Sequence, residues 1–186
     1  MSEHEYINLR REKLEAFGAN YICDVIPGHK LSEIDRTIAY ERWGFNGVEL
    51  LLTRGCAGYA DSESRYRDEF IIHCGEGNAN HLLDMAAFFH ITCASIKPAD
   101  LLKLNGDGSA DEAGYTHIFA SVPFFFPRDI NEIIVSGIVY GMQWLMPLFR
   151  DEASFVESEG SDKFEEKLNK SQYDFFDKRL NLNYLN

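Results

Sequence analysis

Two apolar segments decide the fold: NGVELLLTRG at 46–55 and DEFIIHC at 68–74. Each contains a run long enough for one β-strand. In the second run, Phe70 and Ile72 fall on the same face, because side chains alternate along a strand. A polar stretch at 61–67 separates the two runs. This spacing predicts antiparallel neighbours, with the polar stretch as their connection.

Further elements are predicted on both sides of this pair. The first helix is expected at 3–17, because Ser2 and Glu5 form a capping-box signature and Gly18 is a typical helix end. The other predicted elements are a strand at 21–26, a helix at 79–90, a short run at 101–104, strands at 115–122 and 137–148, and helical turns capped by Asp151 and Ser161. The pattern predicts an α+β fold: a mixed, mostly antiparallel sheet with helices on one face and at both termini.

The composition is typical of one compact domain. The chain has 186 residues, 45% of them hydrophobic, so residues 1–186 are predicted to fold as a single domain. The four cysteines form no CxxC pair and no secretory signal precedes them, so we expect a reduced, cytoplasmic protein. An uncharged stretch at 133–149 is at the short limit for a membrane span. Its richness in Ile and Val predicts two strands, or one long one, and no membrane association.

The chain is strongly acidic. It carries 18 Lys and Arg against 30 Asp and Glu, which gives a formal net charge of −12. This charge repels phosphate backbones and no basic patch interrupts it, so no nucleic-acid partner is predicted. An acidic surface suits a basic protein partner, or it serves solubility alone.

No motif for a cofactor, a metal or a catalytic triad is complete. The segment GEGNAN at 75–80 follows a strand as a dinucleotide fingerprint does, but the third glycine is missing. The histidines lack metal-ligand spacing, so neither a cofactor nor a metal is predicted. A cysteine–histidine pair, such as Cys74 with His117 or Cys93 with His90, stays open, because such partners meet in space and not in sequence. The corresponding alternative function is a small cysteine-dependent hydrolase.

Three consecutive phenylalanines, at 124–126, lie between Pro123 and Pro127. The two prolines confine this segment to an edge strand or a loop. In an extended segment at least one ring faces away from the core. That ring lies either under the C-terminal tail at 171–186 or in an exposed apolar patch that a partner covers.

The order of these segments resembles the suppressor-of-fused (SUFU) domain family. The resembling parts are the strand and Thr-x-Gly turn at 48–55, the acidic-apolar strand at 68–73, the strand before a proline at 117–123, the proline-bearing strand and helix start at 144–152, the segment 164–168, and Asp177 with Arg179. Arg150 takes the place of the Thr with which the family's helix usually starts. The resemblance covers 45–180, a SUFU-like core, and 1–44 adds an N-terminal helix and strand.

The resemblance implies a binding domain without known catalysis. Bacterial members of the family are often small stand-alone domains encoded beside secreted polymorphic toxins, and they are interpreted as immunity proteins. The resemblance therefore implies a non-enzymatic protein that neutralises a basic toxin domain by direct binding. Complementary charge between the two proteins would raise their association rate. The predicted partner-binding surface combines an acidic loop with the aromatic segment: Asp107, Asp111, Glu112, Phe124, Phe125 and Phe126.

Overall fold

The computed structural model describes residues 2–25, 38–59, 65–73, 86–87, 96–104 and 115–170. In chain order the elements are α1 (Ser2–Ala16), β1 (Asn20–Val25), β2 (Ala39–Phe45), β3 (Val48–Arg54), a 3-10 turn (Cys56–Tyr59), β4 (Tyr66–His73), β5 (Leu101–Lys103), β6 (His117–Ser121), α2 (Arg128–Asn131), β7 (Glu132–Val135), β8 (Ile138–Leu148), α3 (Arg150–Glu159) and α4 (Ser161–Lys170). The predicted helix at 79–90 lies outside the described residues except for 86–87, which are helical.

The eight described strands form one mixed sheet in the order β1-β2-β3-β4-β8-β6-β5, and β7 pairs with the first part of β8. Among the described pairings, only that of β4 with β8 is parallel. The predicted α+β class with a mixed, mostly antiparallel sheet is therefore confirmed. Strands β3 and β4 are antiparallel neighbours, as their spacing predicted, with Leu50 opposite His73 and Leu52 opposite Ile71.

Strand β2 was not predicted from the sequence. Its residues AYERWGF include Glu41 and Arg42, which interrupt the apolar pattern. The strand reaches β3 through a two-residue turn, in which Asn46 has φ 50° and Gly47 has φ 83°. Positive φ at both central residues is what a type I′ hairpin turn requires, and Asn-Gly is the sequence that adopts it most readily.

The uncharged stretch at 133–149 forms two strands, as predicted. Strands β7 and β8 meet at Ser136 and Gly137, which also have positive φ (51° and 80°). Among the described residues, no helix combines the length and the apolar character that a bilayer span needs.

The structure confirms the predicted end of α1 but not the predicted start of α3. Gly18, with φ 97°, follows α1 as expected. The predicted cap of α3 is wrong, because Asp151 lies inside the first turn and Phe149 occupies the N-cap position. The Phe149 backbone N–H donates a hydrogen bond to the Glu152 carboxylate at 2.8 Å, which is one half of a capping box. Residue 149, and not Arg150, therefore stands where a capping Thr would act.

Both faces of the sheet are buried. One face packs against α1, α3 and α4, and its cluster includes Leu14, Trp43, Leu50, Leu52, Trp144, Val156 and Phe164. The opposite face contributes a second cluster, which includes Leu51, Phe70, Ile72, Leu145, Ala86, Ala87 and Ile96. Phe70 and Ile72 share this second cluster, as the alternation along β4 predicted. This double burial explains why the runs at 50–52 and 70–72 are continuously apolar.

Candidate functional site

The Thr-x-Gly turn that resembles the SUFU family is built around a buried carboxylate. Glu69 on β4 accepts hydrogen bonds from the Thr53 hydroxyl (2.6 Å), the Gly55 backbone N–H (2.9 Å) and the Ala57 backbone N–H (3.3 Å). Both Glu69 and Thr53 are buried, and burial raises the pKa of the Glu69 carboxyl. These residues fix a turn, and solvent does not reach them.

A buried ion pair ties α1 to the sheet beside this turn. The Arg10 guanidinium lies 2.9 Å from the Glu41 carboxylate on β2 and donates to the Thr53 carbonyl oxygen at 3.0 Å. The Trp43 indole N–H donates to the same carboxylate at 3.2 Å. Both charged side chains are fully buried. Breaking such a pair is costly, because the remaining charge is left uncompensated, so we interpret it as the contact that orients the N-terminal helix.

The three phenylalanines lie in a turn, which is the loop alternative that the flanking prolines allowed. Phe126 is buried, and its ring centroid lies 5.2 Å from that of Phe45. Phe125 is half-buried against Trp144, with a centroid distance of 5.2 Å. Phe124 remains 51% exposed, although its ring also packs edge-on against Trp144. Of the three predicted rings, Phe124 is the one that presents most surface to a partner. The C-terminal tail, its predicted cover, lies outside the described residues.

Phe124 forms part of a surface groove, which we call the Phe124 groove. The side chains that line it include Val122, Phe124, Met146 and Leu168, together with the polar residues Ser121 and Glu165. Its cavity volume is about 290 Å³. Small-molecule pockets usually measure about 300–1,000 Å³, so this groove lies at the lower limit of that range. A space of this size suits a single long side chain better than a large cofactor.

The charge in the groove comes from Glu165 on α4. The Ser121 hydroxyl donates a hydrogen bond to Glu165 Oε1 at 2.6 Å, which holds the carboxylate at the groove wall. Among the described residues, no Lys, Arg or His lies within ion-pair distance of this carboxylate. Glu159 on the preceding helix differs, since Lys163 pairs with it. The groove therefore combines a half-exposed aromatic ring with a carboxylate that no described cation neutralises.

The predicted partner-binding residues are only partly covered by these observations. Asp107, Asp111 and Glu112 lie outside the described residues, whereas Phe124 lines the groove. Sequence reasoning missed Glu165. Its spacing of three from Leu168 places both residues on one helix face, but nothing in the sequence places that face beside Ser121.

The predicted cysteine–histidine pairs involve Cys74, Cys93 and His90, which lie outside the described residues. Of the described cysteines, Cys56 is buried and Cys23 is half-buried. Burial lowers the pKa of His117, the described histidine of those pairs. Within the described part of the chain, no three His, Cys, Asp or Glu side chains are grouped closely enough to hold a metal ion.

Comparison with known proteins places this architecture in a structural class. No family model matches the chain, and no curated protein matches its sequence. Among solved structures, the chain is similar to a protein from Neisseria gonorrhoeae FA 1090 that is described as a proposed homolog of SUFU, the suppressor of fused protein. The TM-score is 0.69, the identity is 13%, and the match covers 94% of each chain. The chain therefore has a SUFU-like fold. At this identity the likeness establishes the fold alone.

Proposed function

We propose that the chain is a non-enzymatic, protein-binding domain of the immunity type, which neutralises a toxin domain by direct contact. The observation that carries this proposal is the Phe124 groove, where an exposed aromatic ring and a carboxylate lie together. Aromatic side chains seated in or beside a pocket supply much of the binding energy at protein interfaces. The SUFU-like fold agrees with this class of protein, and the toxin as partner follows from the sequence resemblance.

Charge supports a basic partner. The chain carries a formal net charge of −12, and α3 and α4 together contain seven acidic and four basic residues. A surface of one sign attracts a partner of the other sign over about 8–10 Å at physiological salt. This attraction increases the association rate and disfavours acidic competitors.

The size of the groove indicates its place within a larger interface. A stable protein–protein interface buries about 800 Å² on each partner, which exceeds what one groove of this volume offers. We therefore expect the Phe124 groove to lie at the centre of the contact. The outer side of α4 would form its surroundings.

Co-expression with the product of the adjacent gene tests this proposal. We expect that product to arrest growth, and the wild-type chain to restore growth and to form a one-to-one complex with it. Phe124→Ala should reduce both effects, because it removes the exposed ring. Ile134→Ala is the matched control, since Ile134 is 69% exposed on β7 and does not line the groove. Failure to bind any neighbouring gene product at any salt concentration would count against the proposal.

Thiol labelling distinguishes the alternative function, a cysteine-dependent hydrolase, from the proposed binding function. A catalytic cysteine has a depressed thiol pKa and reacts well below neutral pH, whereas a packed cysteine does not. Rapid labelling of Cys74 or Cys93 at acidic pH, together with loss of a measured turnover on substitution, would replace the binding proposal. Slow labelling of all four thiols is the result that we expect.

A further inference from the structure

The Phe124 groove has the shape and charge to select one kind of partner side chain. We propose that it is an arginine-binding subsite, in which Phe124 and Glu165 together hold one exposed arginine of the partner protein. This proposal rests on the proposed function as a protein-binding domain, and it names the chemistry that the domain recognises.

An arginine matches each wall of the groove. Its three methylene groups are apolar and can lie along Val122 and Leu168, as long charged side chains do on apolar surfaces. Its planar guanidinium stacks on aromatic rings, and Phe124 offers a ring that is 51% exposed. The same guanidinium pairs with carboxylates through two parallel hydrogen bonds, and Glu165 supplies the carboxylate.

The hydrogen bond from Ser121 prepares Glu165 for this role. It holds Oε1 at 2.6 Å from the Ser121 hydroxyl and thereby restricts the rotation of the carboxylate. An ionised carboxylate has about four acceptor sites, so one bond from a hydroxyl leaves capacity for a guanidinium. A group that is positioned before binding loses less entropy when it binds.

Other side chains fit the groove less well. A purely apolar side chain would remove water from the Glu165 carboxylate and provide no hydrogen bond in return, which is unfavourable. Lysine carries a compact, strongly hydrated charge; its ammonium can lie over a ring, as Lys167 does over Phe155, but it has no planar group to stack and forms no bidentate pair. An acidic side chain would be repelled by Glu165.

Titration with N-acetyl-arginine amide, followed by NMR, tests the subsite directly. We expect saturation in the millimolar range, which is typical of so small a ligand, with shifts centred on Ser121, Val122 and Phe124. N-acetyl-citrulline amide has the same shape without the charge, and it should cause no saturable shift. Equal binding of the two amides, or shifts centred elsewhere, would overturn the proposal.

Charge-removing variants provide the second arm. Glu165→Gln retains an acceptor for Ser121 but has no charge, so we expect binding of the arginine amide to weaken by about tenfold or more. Glu15→Gln makes the same charge change at an exposed position on α1 and should bind as the wild type does. Wild-type affinity in Glu165→Gln would refute the subsite.

The binding experiments distinguish failure of the arginine subsite from failure of the proposed function. If the toxin partner binds Glu165→Gln as tightly as the wild type, the arginine subsite is wrong and the protein-binding function stands. If the arginine amide binds in the groove as described but no neighbouring gene product forms a complex, the subsite stands and the proposed function is wrong.

Discussion

Replacement of Glu69 by alanine should destabilise the fold strongly, because the turn at 53–57 depends on that carboxylate. Three donors point at it: the Thr53 hydroxyl and the backbone N–H groups of Gly55 and Ala57. The Ala57 N–H is buried and would lose its acceptor, and the buried Thr53 hydroxyl would retain only a longer contact of 3.4 Å with the Phe70 carbonyl oxygen. Each buried donor that loses a good partner costs about 1–3 kcal/mol. We therefore expect the variant to lose about 3–5 kcal/mol of unfolding free energy. That is a large share of the roughly 5–15 kcal/mol that holds a typical domain together.

Urea denaturation monitored by circular dichroism measures this loss. For a denaturant slope of about 2 kcal/mol/M, the midpoint should fall by roughly 2 M. Glu69→Gln retains one acceptor and should lose less than half as much. Glu15→Ala, at an exposed position on α1, is the control and should change the free energy by less than about 0.5 kcal/mol. A loss below about 1 kcal/mol in Glu69→Ala would refute the view that the carboxylate fixes the turn.

Three further predictions concern packing and pH. Gly141→Ala should lower the free energy of unfolding by about 1–3 kcal/mol, because the new Cβ would overlap the Asp68 carboxylate. In a double-mutant cycle, this loss should be smaller when Asp68 has already been replaced by alanine. Burial lowers the pKa of His117, so the unfolded chain takes up a proton before the folded chain does as the pH falls. The free energy of unfolding should therefore decrease as pH falls from 6.5 through the lowered pKa, and His117→Asn should weaken that dependence. A His117 pKa at or above 6.5, titrated by NMR, would contradict this prediction. The hydrogen bond from Lys13 lowers the pKa of Asp129, so the unfolded chain again binds a proton before the folded chain does. The difference in unfolding free energy between the wild type and Asp129→Asn should be present above pH 3.8 and disappear as pH falls through the lowered pKa. A difference that acid leaves unchanged would contradict this prediction.

The sequence predicted those parts of the fold whose signals are local. Strands β3 and β4 were found because their apolar runs and their spacing are visible in one short stretch of chain. Strand β2 was missed because Glu41 resembles an exposed residue in sequence. Its burial depends on Arg10, which lies 31 positions earlier on another element. A buried charge is recognisable only when its partner is known.

The same limit applies to the candidate site. The prolines and aromatic rings at 123–127 are a local signal, and they indicate the segment 124–126 from the amino-acid sequence alone, but not which of its three rings is exposed. Glu165 belongs to the groove only because α4 packs beside the end of β6, where Ser121 is 44 positions away in sequence. Neither the helical pattern around Glu165 nor its charge indicates that neighbour. Tertiary packing therefore decides which carboxylate of an acidic chain accompanies the exposed ring.

Stopped-flow and equilibrium binding to the product of the adjacent gene test the central claim most directly, namely that the chain acts by binding a basic protein at the Phe124 groove. We predict a one-to-one complex whose association rate falls as ionic strength rises, because opposite charges steer the encounter. Phe124→Ala should bind about tenfold more weakly, whereas Ile134→Ala should bind as the wild type does. Absence of a complex at every salt concentration, or equal affinity for the wild type and Phe124→Ala, would contradict the account.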